Sequence, residues 1–290
     1  MAAHLEKVVA GGDLAGYGEE TTTIDFGSDA VSPLVANLED RNRTAPFPFC
    51  GNRFEFRAVG SSQNISYPLA ILNSAVAESM GVLADAIEGG KSPRDAVADM
   101  LKEHWAIIFN GDGYSDEWPI EAASRGLPNL KNTVDAVETL NSDKNQKLFE
   151  SQGVFTPTEL AARQEIMFEK YTNDIFIEAN CLLDMMETGV LPACAKDLKT
   201  YSGSDLGSKR AALYKQLEAA TEDLQEKYEN LPEDSPGAQA RYSVDVVKPQ
   251  MEAVRTLCDA AERLVEAELW PYPKYSELLF HHQSGAPEEL

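Results

Sequence analysis

One stretch of this chain alternates as a strand must, and almost nothing after it does. Residues 53–57 read Arg53, Phe54, Glu55, Phe56, Arg57. Successive strand side chains point to opposite faces. A strand over 52–58 is therefore expected to turn Phe54 and Phe56 to a core and to share Arg53, Glu55 and Arg57 on the other side. Pro46, Pro48 and Gly51 punctuate the approach to it as turn signals. An isolated pair of strands is marginal in water, so one confident strand cannot make a sheet. Its partners are expected in another chain or in sequence outside these 290 residues.

The remaining pattern is helical. Residues 66–88 place Leu69, Leu72, Val76, Met80, Leu83 and Ile87 at helical spacing, with Pro68 in the first turn and Gly89 and Gly90 as a stop. This helix is expected to lay one face on the strand layer. Ser92 caps a second helix with Pro93 at its first position, running towards Phe109. Shorter helices are expected over 116–125 and 133–150. Thr156, Pro157 and Glu159 form a capping box that opens a helix reaching Gly189. Two more long helices are expected over 207–230 and 238–268, followed by an aromatic, Pro-broken tail (LWPYPKYSELLF) of the kind that docks on a neighbour. Residues 1–40 are Gly-rich and irregular, with a short amphipathic helix near the start and a short strand at TTTIDFG. There is no internal repeat. The fold class is α+β and predominantly helical.

Composition narrows the partners. Net charge is −23, from 25 Lys and Arg against 48 Asp and Glu, a field that repels nucleic acid and anionic membranes. No apolar run approaches the roughly 20 residues of a membrane span. Residues 1–20 lack the basic start and long apolar centre of a signal peptide, so a cytoplasmic setting is expected. Cys50, Cys181, Cys194 and Cys258 are irregularly spaced, without a C-x-x-C pair or zinc-finger histidines; they read as buried thiols.

Against that acidic background, the basic side chains among residues 1–90 are Lys7, Arg41, Arg43, Arg53 and Arg57. All but Lys7 crowd around the strand. Alone, the alternation fits a solvated face with ion pairs worth at most about 1 kcal/mol each. The concentration of arginine points instead to an anion site, because the planar guanidinium binds phosphate or carboxylate bidentately. A lone glutamate among arginines suits Mg2+ or Mn2+, and anion plus metal is the pattern of a nucleotide-phosphate site. Other motifs fail their tests. GDLAGYGEE has no lysine after its glycines, as a phosphate-binding loop requires. GDGYSDEW has Tyr114 and Glu117 where a calcium loop needs an acid and a glycine. His4, His104, His281 and His282 form no cluster.

The residues that crowd the strand also carry a resemblance. RNRTAPFPFCGNRFEFRAVGSS (41–62) resembles the pattern RNRT-x-PF-x-F-x-GN-x-FEFR-x-VGSS of the type III glutamine synthetases. Further similarity runs through IIFNGDGYSDEW, RGLPNLKNT, GVFTPTEL, EKYTNDIFIEA, the LPA at 191–193 and LWPYPKYSELLF, covering most of the chain from about residue 38. The resemblance implies a ligase of nitrogen metabolism and glutamine biosynthesis: glutamate, ammonium and ATP are joined through γ-glutamyl phosphate, with Mg2+ or Mn2+. Carried over by motif position, Glu55 resembles a metal ligand and Arg57 the arginine that contacts glutamate's reacting carboxylate. Arg43 and Arg53 resemble those holding ATP phosphates, Arg43 and Arg57 counting among the catalytic groups. Pro48 stands where type I enzymes place a further arginine.

The family's other metal glutamates, its metal-binding histidine and its glycine-rich loops precede this segment, and residues 1–40 contain none of them. The resemblance thus implies a C-terminal portion: residues 1–90 from the end of the catalytic domain and its sheet, residues 91–290 a type III helical region. It further implies a site shared with an N-terminal portion, and the unfinished sheet edge and docking tail both need partners, so a homo-oligomer is expected. The alternative is a non-catalytic helical interaction or assembly protein derived from that family.

Overall fold

The computed structural model describes residues 2–12, 23–28, 30–35, 47–48, 53–58, 60, 63–109 and 113–279. The helices are α1 (Ala2–Val9), α2 (Ser66–Glu88), α3 (Pro93–Glu103), α4 (Glu117–Ser124), α5 (Thr133–Glu138) and α6 (Asp143–Ser151). They continue with α7 (Pro157–Met185), α8 (Leu191–Thr200), α9 (Asp205–Glu229), α10 (Pro236–Tyr242), α11 (Lys248–Glu262) and α12 (Tyr275–Leu279). Two-residue strands β1 (Thr23–Ile24) and β2 (Leu34–Val35) pair antiparallel, Thr23 opposite Val35 and Ile24 opposite Leu34. Packing divides the chain into one unit of Met1–Leu130 with Asp143–Thr156 and another of Lys131–Ser142 with Pro157–Leu290.

The first unit is thinly packed. α1 lies on α3, and α2 lies on α3 and α6. Ser92 caps α3 as its sequence predicts: its hydroxyl oxygen accepts the Asp95 backbone N–H at 3.1 Å and donates to the Asp95 carboxylate at 2.7 Å. α3 stops at Glu103, and a 3-10 turn over Trp105–Ile107 replaces the expected run to Phe109. Beyond it, Arg125 donates to the carbonyls of Ala106 (3.1 Å) and Ile108 (2.8 Å) while lying over the Trp118 ring. The buried apolar residues among those described in this unit are Val8, Pro48, Ala96, Ala98 and Phe149.

The strand expected over 52–58 is not a ladder. Asn52 lies outside the described residues, Phe54 is a lone bridge position, and residues 53 and 55–58 have no regular structure. Ladders need a neighbouring backbone. Among the described residues β1 and β2 bond each other instead, so the sheet reading has no support here. Phe54 is 58% exposed, not buried as expected, and stacks on Phe47 at 5.1 Å. Among the described residues, α2 packs on the helices α3 and α6. It is also long and apolar enough, by length and composition, to cross a membrane, which corrects the reading that no such run exists.

The second unit is a helical bundle with a continuous core. α7 packs on α5, α9, α10 and α11, while α9 packs on α8 and α11. Ile175, Ala179, Leu183, Met186 and Val190 form one buried stripe, met by Leu217, Leu224, Val247, Val254 and Ala261. Two π turns occur: one over Met186–Val190, at the expected end of the helix opened by Thr156, carries it on into α8, and one over Ser243–Val247 interrupts the helix expected over 238–268. Proline explains both. A proline ring collides with the carbonyl four residues earlier, and a widened turn absorbs the collision. Those carbonyls belong to Thr188 for Pro192 and Asp245 for Pro249, each inside its π turn. The aromatic tail docks on its own unit: an added Cβ at Gly189 would meet the Tyr272 hydroxyl at 2.9 Å and Pro271 at 3.2 Å. Of the cysteines, Cys194 and Cys258 are buried as expected, Cys181 is exposed, and Cys50 lies outside the described residues.

A buried carboxylate fastens three parts of the bundle. Asp197 on α8 has no exposed side-chain surface and accepts from Arg210 Nε (3.0 Å) and the Tyr214 hydroxyl (2.7 Å), both on α9. It also accepts the Glu266 backbone N–H beyond α11 (3.2 Å), while Arg210 Nη2 donates to the Leu264 carbonyl at 2.8 Å. Breaking a buried pair strands the other charge, at a cost of about 3–5 kcal/mol. Asp197→Ala is expected to lower unfolding stability by that amount in urea titration. Asp174→Ala, which removes an exposed pair with Lys170, is expected to change it by no more than about 0.5 kcal/mol.

Candidate functional site

The segment 53–58 brings together the three residues that alternation placed on one side. Arg53 Nη2 donates to Glu55 Oε1 at 2.7 Å. From the other side, Arg57 donates to Glu55 Oε2 through Nη2 at 2.9 Å and Nε at 3.1 Å. The Glu55 backbone N–H donates to the Pro48 carbonyl at 3.1 Å, which ties the segment to the proline that precedes it. Arg57 is the more enclosed arginine, its side chain 21% exposed against 56% for Arg53. Arg41 and Arg43 lie outside the described residues.

This geometry has an electrostatic consequence. The hydrogen bonds from Arg57, then those from Arg53, hold the Glu55 carboxyl below the usual glutamate range, against a smaller opposing effect of burial. Glu55 is therefore a carboxylate at neutral pH. A carboxylate offers about four lone-pair positions, and the three bonds above occupy most of them. Divalent cations such as Mg2+ take one or two carboxylates and complete their shell with phosphate oxygens and water. Glu55 fits one place in such a shell. No group of three or more His, Cys, Asp or Glu able to hold a metal ion exists among the described residues, so a complete set needs other donors.

Other titratable groups are structural. Burial pushes the Cys194 thiol up to about 12 and Cys258 up to about 11, so neither is a nucleophile at neutral pH. Burial and the bond to Asp197 push the Tyr214 phenol up as well. Arg241 bridges Asp135 (2.8 Å) and Glu138 (2.6 Å), fastening α10 to α5. His104 caps the end of α3; His281 and His282 lie outside the described residues. The Asp197 junction is absent from the sequence reading, although a signal exists: Ala193, Cys194 and Asp197 share one face of α8, where a charged residue among buried neighbours must be paired.

The lowered carboxyl of Glu55 gives a pH test. Its folded value lies below its unfolded one, so the two ion pairs contribute stability above the ordinary glutamate range and lose it as pH falls through the folded value. A carbon NMR titration of Glu55 is expected to show a midpoint below that of glutamate in the denatured chain. Arg57→Ala should move that midpoint back further than Arg53→Ala.

Comparison with known proteins places these observations. Residues 94–204 match the family model of the glutamine synthetase C-terminal domain. The type-3 glutamine synthetase of Dictyostelium discoideum is 37% identical over 308 aligned positions, covering 95% of this chain and 41% of that protein. A glutamine synthetase of Bacteroides fragilis (strain YCH46) is 32% identical, covering 90% of this chain and 40% of its own length. One from Butyrivibrio fibrisolvens is 34% identical, covering 83% and 38%. The chain thus spans about two-fifths of the length of the curated relatives it matches.

Proposed function

We propose, from the premise that this chain belongs to the type III glutamine synthetases and corresponds to their C-terminal portion, that it supplies one wall of a glutamine-forming site. The observation that carries this reading is the convergence of Arg53 and Arg57 on Glu55. In the proposed reaction an oxygen of glutamate's γ-carboxylate attacks the terminal phosphorus of ATP, and the bond to ADP breaks. Ammonia then attacks the acyl carbon, phosphate leaves, and the nitrogen gives up its surplus proton.

Negative charge crowds the phosphoryl oxygens in the first step, and fixed positive groups stabilise it there. Arg53 and Arg43 would hold the ATP phosphates, and Arg57 would face glutamate's reacting carboxylate. A guanidinium carries five N–H donors, so the bond from Arg53 to Glu55 does not exhaust what it can offer an oxyanion. Glu55 would donate to Mg2+ or Mn2+, and such an ion, when bound, screens the phosphoryl charge. The Arg–Glu–Arg arrangement also orients: a guanidinium held on Glu55 points its remaining edge in a set direction. The remaining donors come from the N-terminal portion of such an enzyme. A homo-oligomer and a cytoplasmic setting are part of the same proposal.

A second reading, a helical assembly protein without chemistry, draws on one observation: the long helices of the second unit form a continuous apolar core. One experiment separates the two. The chain is mixed with a separately produced N-terminal portion of a type III enzyme, and Mg-ATP affinity and glutamine formation are measured. Glutamine is expected from the mixture, and Arg53→Ala is expected to raise the Kd for ATP about tenfold or more, as loss of a charge-assisted hydrogen bond predicts. An assembled mixture that binds no ATP, or binds it equally well with Arg53→Ala, selects the assembly reading.

A further inference from the structure

The segment that closes the second unit is held unevenly along its length. Its upstream end is deep: the Leu264 carbonyl accepts from Arg210 at 2.8 Å, Val265 is buried in the core, and the Glu266 backbone N–H donates to Asp197 at 3.2 Å. A 3-10 turn over Ala267–Leu269 follows. Trp270, Pro271 and Tyr272 then reach the opposite end of α8, where Pro271 and the Tyr272 hydroxyl lie against Gly189 in the first π turn. Asp197 and Gly189 are about 12 Å apart along the helix axis at 1.5 Å per residue, so residues 266–272 run back along α8. The grip at this end is shallow. Leu269, Trp270 and Tyr272 are only partly buried where they pack on the core. The bond from the Tyr272 hydroxyl to the Met185 carbonyl is 3.3 Å, longer than the roughly 2.5–3.0 Å usual for a hydroxyl donor. α12 adds little, with Leu278 and Leu279 61% and 67% exposed.

We propose that residues 267–272 are a latch, hinged on the Asp197 junction, which closes on the π turn and releases it while the bundle stays folded. Hinge and seat lie at opposite ends of α8 and differ in kind: a buried charge satisfied by fixed donors at one, half-buried rings at the other. Trp270 and Tyr272 brace each other edge-on, their centroids 6.4 Å apart, so they leave or arrive as a pair. The turn beneath them is short of backbone donors and of packing. Pro192 has no N–H to return to the helix, a widened turn is a rare single-turn departure, and Gly189 has no side chain to pack. Closure of the latch supplies both the packing and a donor to the Met185 carbonyl. Segments with few buried apolar contacts open at a lower free energy than the core they sit on. α9, by contrast, contributes the fully buried Leu217 and Leu224 and packs on α7, α8 and α11.

The test is amide hydrogen exchange of the full chain, followed by NMR in water and in low urea. Leu269 and Trp270, whose N–H groups donate to the Glu266 carbonyl, report on the latch, and Leu191, which donates to the Met186 carbonyl, reports on the turn. In the unaltered chain these three are expected to exchange together, at least tenfold faster than Leu224 of α9. Their urea dependence should also be shallower, since opening a latch exposes less surface than unfolding the bundle. Gly189→Leu fills the seat with a better helix former than glycine, and is expected to speed the three amides at least tenfold further with an unaltered circular dichroism spectrum. The proposal is overturned if the three match Leu224 in rate and urea dependence, because the segment is then ordinary core. It is overturned equally if Leu269 and Trp270 open while Leu191 keeps its own rate, which would make the turn independent of the latch. Unchanged rates in a folded Gly189→Leu protein overturn it as well; where that variant does not fold, exchange in the unaltered chain decides.

Discussion

The bundle depends on one carboxylate that sees no water. Asp197 takes donors from α9 and from the backbone beyond α11, and Arg210 returns a bond to the Leu264 carbonyl. Its donors come from two parts of the chain outside α8, so the junction fixes where α8, α9 and the last turn after α11 stand relative to one another. An apolar contact of equal area would tolerate sliding. Hydrogen bonds to a buried charge do not, because a shifted donor leaves the carboxylate unsatisfied in a low dielectric. The Arg210 guanidinium is itself stacked on Tyr201 at 4.0 Å, which closes the remaining side of the charge.

The two π turns work in the same direction. A proline inside a helix ordinarily kinks or ends it. Here the widened turns let α7 continue into α8 and α10 into α11, while Met186, Val190 and Val247 stay in the core. The first turn sits where Gly189 admits Pro271 and Tyr272. A side chain at 189 would fill the space that the closing aromatic segment occupies, so the absence of a Cβ there is a packing requirement rather than a matter of backbone freedom. Chain order thus returns the tail to the bundle's longest helix.

Much of this was legible because its causes are local. Ser92 followed by Pro93 and Asp95 sets a helix start whatever lies around it, and the structure forms that cap. The Arg53–Glu55–Arg57 grouping follows from alternation, and the three side chains do meet. What was not legible depends on distant partners. The same alternation predicted a strand and a buried Phe54, but a ladder requires a second backbone that the described residues do not provide. The periodicity of 66–88 gives a helix with an apolar face, but the strand layer expected to cover it is not found among the described residues. The π turns are not legible because the apolar stripe runs through them unbroken. Cys181 reads as buried by residue type alone, yet its place on α7 is exposed.

The electrostatics of the candidate site reconcile two facts that first oppose each other. A chain of net charge −23 repels ATP and glutamate at long range, and the proposed chemistry needs both. Salt limits that repulsion to about 8 Å at physiological ionic strength, so within the site the nearest charges decide. Those charges are Arg53 and Arg57, and Glu55 between them does not cancel their use. It keeps two like charges close together, at a spacing that repulsion would otherwise widen, and it stays ionised because they hold it so. On the proposed reading, an arriving oxyanion would meet donors already oriented by a carboxylate, which lowers the reorganisation needed on binding. The same carboxylate is the group a divalent cation would share, so cation and arginines would compete for its oxygens until phosphate arrives to satisfy both. On the proposed reading Glu55 would couple metal and nucleotide, and an acidic chain would concentrate its few arginines where they are most effective.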